Sequence, residues 1–275
     1  MLLEAIYPGI VAFPTALVAT LVCRRLRFPP EIAWAIGFSL AYIAAQFALD
    51  SRATGWTWPS LLWPLEARDW LPAAVLLSLA WTILSASAPT TWRFRLLALA
   101  TLLVVAIPAR LLAGPVAQRW SIAEKLFHLG LLSAAFGLLW LLLSSARFHE
   151  QPRTRAALAA LAAAVAAIVM TLSGSFTYGQ LGAAVAAAIL GATVGSAAGP
   201  EDAAGPITFS LGSLVLLSCY YASLTAASAA LLLLALVLAT ARVPNAAATL
   251  PAWLQAAIRA VVCMLLLGVA LLRAG

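Results

Sequence analysis

The chain reads as a succession of apolar stretches, each close to the length of a membrane-spanning helix and each closed by a short polar break. A spanning helix needs roughly 20 mostly apolar residues. Stretches of about that length run over Ala5–Cys23, Ile32–Leu49, Leu71–Ala88, Leu96–Ala113, Leu126–Ala146, Ala156–Leu172, Leu181–Ala198 and Leu254–Leu272. Barrel strands would alternate polar and apolar positions in segments of about ten, and these long Ala/Leu runs do not. The pattern predicts an all-α polytopic transmembrane helical bundle.

One stretch is too long for a single span. Ile207 to Ala241 is 35 residues without a charge, which as one helix would reach roughly 50 Å against a hydrocarbon core of about 30 Å. Paired tyrosines favour the membrane interface, so a hairpin turning near Cys219–Thr225 is expected. That makes ten spans; nine follow if 207–241 is one long helix.

Composition agrees with this reading. Residues are 64% hydrophobic and 9% charged, with a mean hydropathy of +1.03; a soluble domain carries about 25% charged residues. The whole chain, 1–275, is expected to be a single membrane domain with Trp-rich spans one to five over 1–146 and Ala/Gly-rich spans six to ten over 156–275. Nine of the ten tryptophans precede residue 141, which suggests aromatic belts in the front half.

The net charge of +7 does not point to nucleic acid, because the arginines sit in short loops and no dense basic run lies in a soluble segment. Lipid headgroups are their expected partner. Glu4 stands where a signal peptide would be basic, and Cys23–Arg27 follows the first stretch, so an uncleaved span with its N-terminus outside is expected. With that orientation, loops on the cytoplasmic side hold eight Lys/Arg against five on the outer side, the sign the positive-inside rule requires.

Polar residues inside apolar runs are the candidates for function. Gln46 and Asp50, four apart, share one helix face; they would either make an interhelical hydrogen bond and an ordinary helix end, the preferred reading, or line a polar crevice reaching the outer surface. Arg110 follows Pro108 and would pair with Glu124, bind an anionic group, or snorkel to the headgroups if the proline ends its helix. Arg259, a turn into the last span, is expected to snorkel. His128, Tyr178 and Gln180 complete the set of candidate pathway or ligand contacts. Ser173 and Ser175 beside Tyr178 raise the question of a nucleophile, but no GxSxG elbow accompanies them; the expectation is a polar turn. No catalytic set, metal site or cofactor motif is expected. Cys23, Cys219 and Cys263 have no CxxC or Cys/His spacing and read as packing residues.

Gly191, Gly195 and Gly199 recur every four residues behind an alanine-rich segment. Small residues let helices approach closely in lipid, so spans six and seven should pack tightly. Asp50–Trp70, with Trp56, Trp58, Trp63 and Trp70 among prolines, reads as an interfacial segment. That loop and the glycine faces are the places where another membrane protein would dock. Five spans followed by five permit an inverted repeat, since an odd-numbered unit reverses direction each time, though the halves share no visible pattern of glycine, proline or loop length.

The order "SGS…YGQLGAA", followed by "YYASLTAASAALLLLAL", is similar to uncharacterised multi-pass bacterial membrane proteins over Leu172–Leu236. The resemblance implies a helical bundle of the bacterial inner membrane and carries no activity. Three functions remain in order of preference: a non-catalytic subunit or scaffold of a membrane complex, a small secondary permease for a hydrophobic or weakly polar solute, and an intramembrane enzyme.

Overall fold

The computed structural model describes residues 2–54, 66–113, 119–145, 152–196, 204–240 and 252–274, and every regular element among them is helical. The α-helices are α1 (Leu2–Arg25), α2 (Pro30–Thr54), α3 (Trp70–Ser87), α4 (Arg93–Leu111), α5 (Ile122–Ser145), α6 (Pro152–Leu172), α7 (Phe176–Gly195), α8 (Ala204–Tyr221), α9 (Ala226–Thr240) and α10 (Ala252–Ala274). Short 3-10 turns at Ala67–Asp69 and Thr90–Trp92 lead into α3 and α4. Eight of these helices are long and apolar enough to cross a membrane, and the protein is an integral membrane protein of the all-α class. Helix α9 has 15 residues, about 22 Å, which is shorter than the hydrocarbon core.

The uncharged stretch 207–241 does break, between Tyr221 and Ala226. It is not a packed hairpin, however. Helix α8 runs into the bundle against α3 and α5, whereas α9 lies against α10 and α6, and the two make little contact with each other. Every residue from Ala204 to Ser218 is buried, so α8 is enclosed on all sides.

Two packing chemistries hold the bundle. Where α1, α2, α6 and α7 meet, small residues bring backbones together. A Cβ on Gly37 of α2 would collide with the Thr20 Oγ1 of α1 and lie 2.9 Å from the Ala16 carbonyl. A Cβ on Gly195 of α7 would fall 2.9 Å from the Thr20 Cβ, and one on Gly191 would strike the Phe13 carbonyl. The neighbour of Gly191 and Gly195 is therefore α1; α6 meets α7 through Gly179 and Gly182 instead. Gly199 lies outside the described residues.

Rings do the equivalent work around α8. Trp140 packs edge-on against Trp81, with centroids 4.5 Å apart, and against Phe209 at 5.3 Å. Trp34 is fully buried, and its Nε1 donates to Thr193 Oγ1 at 3.1 Å. These tryptophans belong to the interior and not to an aromatic belt, which their size permits because Trp81 and Trp34 have partners for their N–H groups.

Two helix-end expectations are corrected. Helix α4 continues through Pro108 to Leu111, as neighbouring helices allow for a proline in a spanning segment. Arg259 is only 9% exposed, so it is held within the protein and does not snorkel.

The Thr20–Gly37 crossing generates a specific expectation. Gly37→Ala should lower thermal stability in detergent by roughly 1–3 kcal/mol, the usual range for overpacking. Adding Thr20→Ala should recover part of that loss, because the nearest obstacle is the Thr20 hydroxyl; the Ala16 carbonyl remains. A double-mutant cycle of thermal unfolding checks both signs.

Candidate functional site

The Ser173–Ser175 turn is built by two standard helix-end devices. Helix α6 closes with the paired bonds of a Schellman motif: Gly174 N–H donates to Thr171 O at 3.1 Å and Ser175 N–H to Met170 O at 3.2 Å. Gly174 takes the left-handed conformation this requires, with φ of 94°. Ser175 then caps α7 by accepting from Tyr178 N–H at 3.3 Å. The Ser173 hydroxyl donates back to Met170 O at 2.8 Å, and its carbonyl accepts from the N–H and the hydroxyl of Ser223. Both serine hydroxyls are engaged with the backbone. The turn joins α6 to α7 and ties down the connection after α8.

Around this turn the structure gathers the polar residues singled out in the sequence. Gln46, 4% exposed, donates from Nε2 to the Arg68 carbonyl at 3.1 Å. The Arg68 side chain pairs with Glu66 at 2.9 Å and lies 3.9 Å from Asp69. Asp50 and Tyr178 also lie within electrostatic range of Arg68. Gln180 is buried two residues beyond Tyr178.

Arg110 does not pair with Glu124. Its guanidinium lies over the Trp70 ring, 4.3 Å from the centroid, a cation–π contact. Glu124 instead forms a capping box with Ser121 at the start of α5, accepting from Ser121 N–H at 2.7 Å while Glu124 N–H donates to the Ser121 hydroxyl at 3.3 Å. His128 stacks on Trp120 at 4.3 Å and shares a 2.9 Å hydrogen bond between Nδ1 and the Tyr220 hydroxyl. Tyr221 donates to the Leu111 carbonyl at 3.3 Å. The ends of α2, α4, α6 and α8 and the starts of α3, α5 and α7 thus form one polar face.

Comparison of the chain with protein-family models, curated proteins and solved structures finds no match.

Sequence reasoning missed three groups. Arg68 was only one loop charge among several, and its nearness to both Asp50 and Tyr178 depends on the tertiary fold. Tyr220 and Tyr221 read as interface markers, although they link α8 to α5 and α4. Ser39 and Tyr42, both fully buried on α2, were hidden by their small size and apolar body; their spacing from Gln46 on one helix face was the signal that would have found them. Among the described residues, no three His, Cys, Asp or Glu side chains gather as a metal ion would need.

Because Gly174 needs positive φ, Gly174→Ala should destabilise by about 1–2 kcal/mol, and Ser175→Ala by about 1 kcal/mol through loss of the cap. Ser173→Ala should cost less than Gly174→Ala, since the Ser173 backbone makes the interhelical contact. Thermal unfolding of the three variants ranks them.

Proposed function

We propose that the protein is a small secondary permease assembled from two five-helix units of opposite orientation. The observation that carries this reading is one helix crossing that occurs twice. Thr20 of α1 donates to Ala16 O at 2.7 Å and packs on Gly37 of α2. Thr171 of α6 donates to Ala167 O at 2.8 Å and packs on Gly179 of α7. A Cβ on either glycine would meet the same three atoms: the threonine Oγ1, the alanine carbonyl and the threonine Cβ at 3.1 Å.

The turns match as well. Arg27, with φ of 64°, closes α1 by donating to Arg24 O while Phe28 N–H donates to Cys23 O, the bond pair seen at Gly174. The α1–α2 turn meets the C-terminus of α7, where Arg24 donates to Gly195 O and Ser196 to Pro30 O. The α6–α7 turn lies at the N-terminus of α7. First and sixth helices therefore begin equivalent hairpins that point in opposite directions, the arrangement on which alternating access is built. The N-terminus outside and the bacterial inner membrane remain part of this proposal, from the distribution of arginines and the resemblance of the chain.

The two halves are not used equally. Helix α1 packs deeply on α7, while its counterpart pairing, α6 on α2, makes no substantial contact. Exchange of these two pairings is the motion that an inverted repeat supports. The scaffold reading relied on a nearly featureless interior, on the glycine faces and on the Asp50–Trp70 loop. Helix α1 covers Gly191 and Gly195, and residues 55–65 of the loop lie outside the described residues.

Matching Thr20 to Thr171 and Gly37 to Gly179 makes Gly9 the counterpart of Ala160, and Ala187 the counterpart of Ala45. A Cβ on Gly9 would stand 3.6 Å from the Ala187 Cβ, within the span of a disulfide. With Cys23, Cys219 and Cys263 replaced by alanine, Gly9→Cys/Ala187→Cys should oxidise readily in native membranes. Ala45→Cys/Ala160→Cys should also cross-link, more slowly, if the halves exchange. Failure of the second pair under conditions where the first forms fully would rule out this motion.

A further inference from the structure

Most buried hydroxyls in these helices satisfy themselves by donating to a carbonyl three or four residues back, as Thr20, Ser78, Thr82, Thr193 and Ser218 do. Ser39 and Tyr42 do not. Both are fully buried on α2, and neither Ser39 Oγ nor the Tyr42 hydroxyl has a protein partner; nor does Oε1 of Gln46. Positions 39, 42, 46 and 50 fall on one face of a helix with 3.6 residues per turn. The three unpartnered groups therefore form a stripe beneath Asp50, reaching roughly 16 Å below it, about half the depth of the hydrocarbon core.

A second helix presents the same anomaly. On α8, which also packs on α2, Thr208 Oγ1 and Ser213 Oγ are buried and unpartnered. Ser213 lies about 12 Å below Tyr221 at the same face of the bundle. An unpaired polar atom in hydrocarbon costs free energy that packing does not return. Three along one face of α2 call for a polar occupant.

We infer that the Ser39–Tyr42–Gln46 face of α2 is a binding site for a small uncharged molecule that both donates and accepts hydrogen bonds, of the amide or polyol type. The site rests on the permease reading for its role, not for its existence. No charged residue occurs in α2 between Ile32 and Leu49 or anywhere in α8, so an ion at this depth would have no counter-charge. Two hydroxyls and an amide oxygen supply donors and acceptors over about 10 Å, and Gln46 is already oriented through its amide nitrogen. Asp50, Arg68 and Glu66 give the entrance both signs of charge, which suits a dipolar solute.

The test combines flux with stability, using glycerol and acetamide as probes and a sucrose gradient to measure water. Proteoliposomes of the purified protein should take up glycerol or acetamide faster than protein-free liposomes in stopped-flow light scattering. Tyr42→Phe, which removes one hydroxyl, should slow that uptake by about fivefold, the factor one hydrogen bond is worth. It should also lower the melting temperature, because an occupied hydroxyl is lost; in a dry interior the same change removes an unpaired group and raises it. Uptake unaffected by Tyr42→Phe, together with a raised melting temperature, would overturn the site and leave the permease standing. A lowered melting temperature, with probe-dependent stabilisation of the wild type but no uptake, would keep the site and overturn the permease. Acceleration of water alone would overturn the amide or polyol assignment.

Discussion

The bundle depends on a threonine hydroxyl folded back onto its own helix. Lipid gives helices no hydrophobic reason to associate, so they must gain dispersion contacts by approaching closely. Thr20 makes this possible on two sides. Its hydroxyl is satisfied by Ala16 O, and its compact, branched body then fills the spaces left by Gly37 on α2 and Gly195 on α7. Helix α1 is thereby seated between two neighbours, and α7 becomes the common wall of α1, α2 and α6. The aromatic cluster of α3, α5 and α8 is built on a different principle, with Trp140 set edge-on to Trp81 and Phe209, and Phe136 tilted against Phe209.

Much of this architecture was legible in the sequence. Ten apolar runs were found, including the break in 207–241, because length against bilayer thickness is a strong constraint. The polar face was legible residue by residue as well: Gln46, Asp50, Arg110, His128, Tyr178 and Gln180 all stand out against apolar surroundings. Their connection was not, because Arg68, which lies within electrostatic range of both Asp50 and Tyr178, looks like any loop arginine until α2 and α7 are brought together. Nor could the sequence identify the helix opposite Gly191, since a small-residue face specifies close approach without naming the partner. Trp34 and Trp140 show the same limit: an indole suits an interface or a core, and the surrounding packing decides which.

The repeated crossing was invisible for a related reason. Thr20 precedes Gly37 by a longer connection than separates Thr171 from Gly179, so the shared geometry has no shared spacing. What the hairpins have in common is an arrangement of atoms: a back-bonded threonine, a glycine and a left-handed residue at the turn. One turn uses Gly174 at the left-handed position and the other uses Arg27, at the strain that a side chain brings there.

The enclosure of α8 bears on how the protein is made. Among the eight long apolar helices, α7 and α8 have the lowest mean hydropathy, 1.3 each, and the highest burial, 72% and 83%. Helices with the least affinity for lipid are thus the ones lipid touches least. The main neighbours of α8, namely α3, α5 and α7, all precede it in the chain. During synthesis, α8 therefore emerges after the walls of its compartment exist, and it is received by protein surfaces already in the membrane, with its serines and threonines passing from the insertion machinery into a prepared niche.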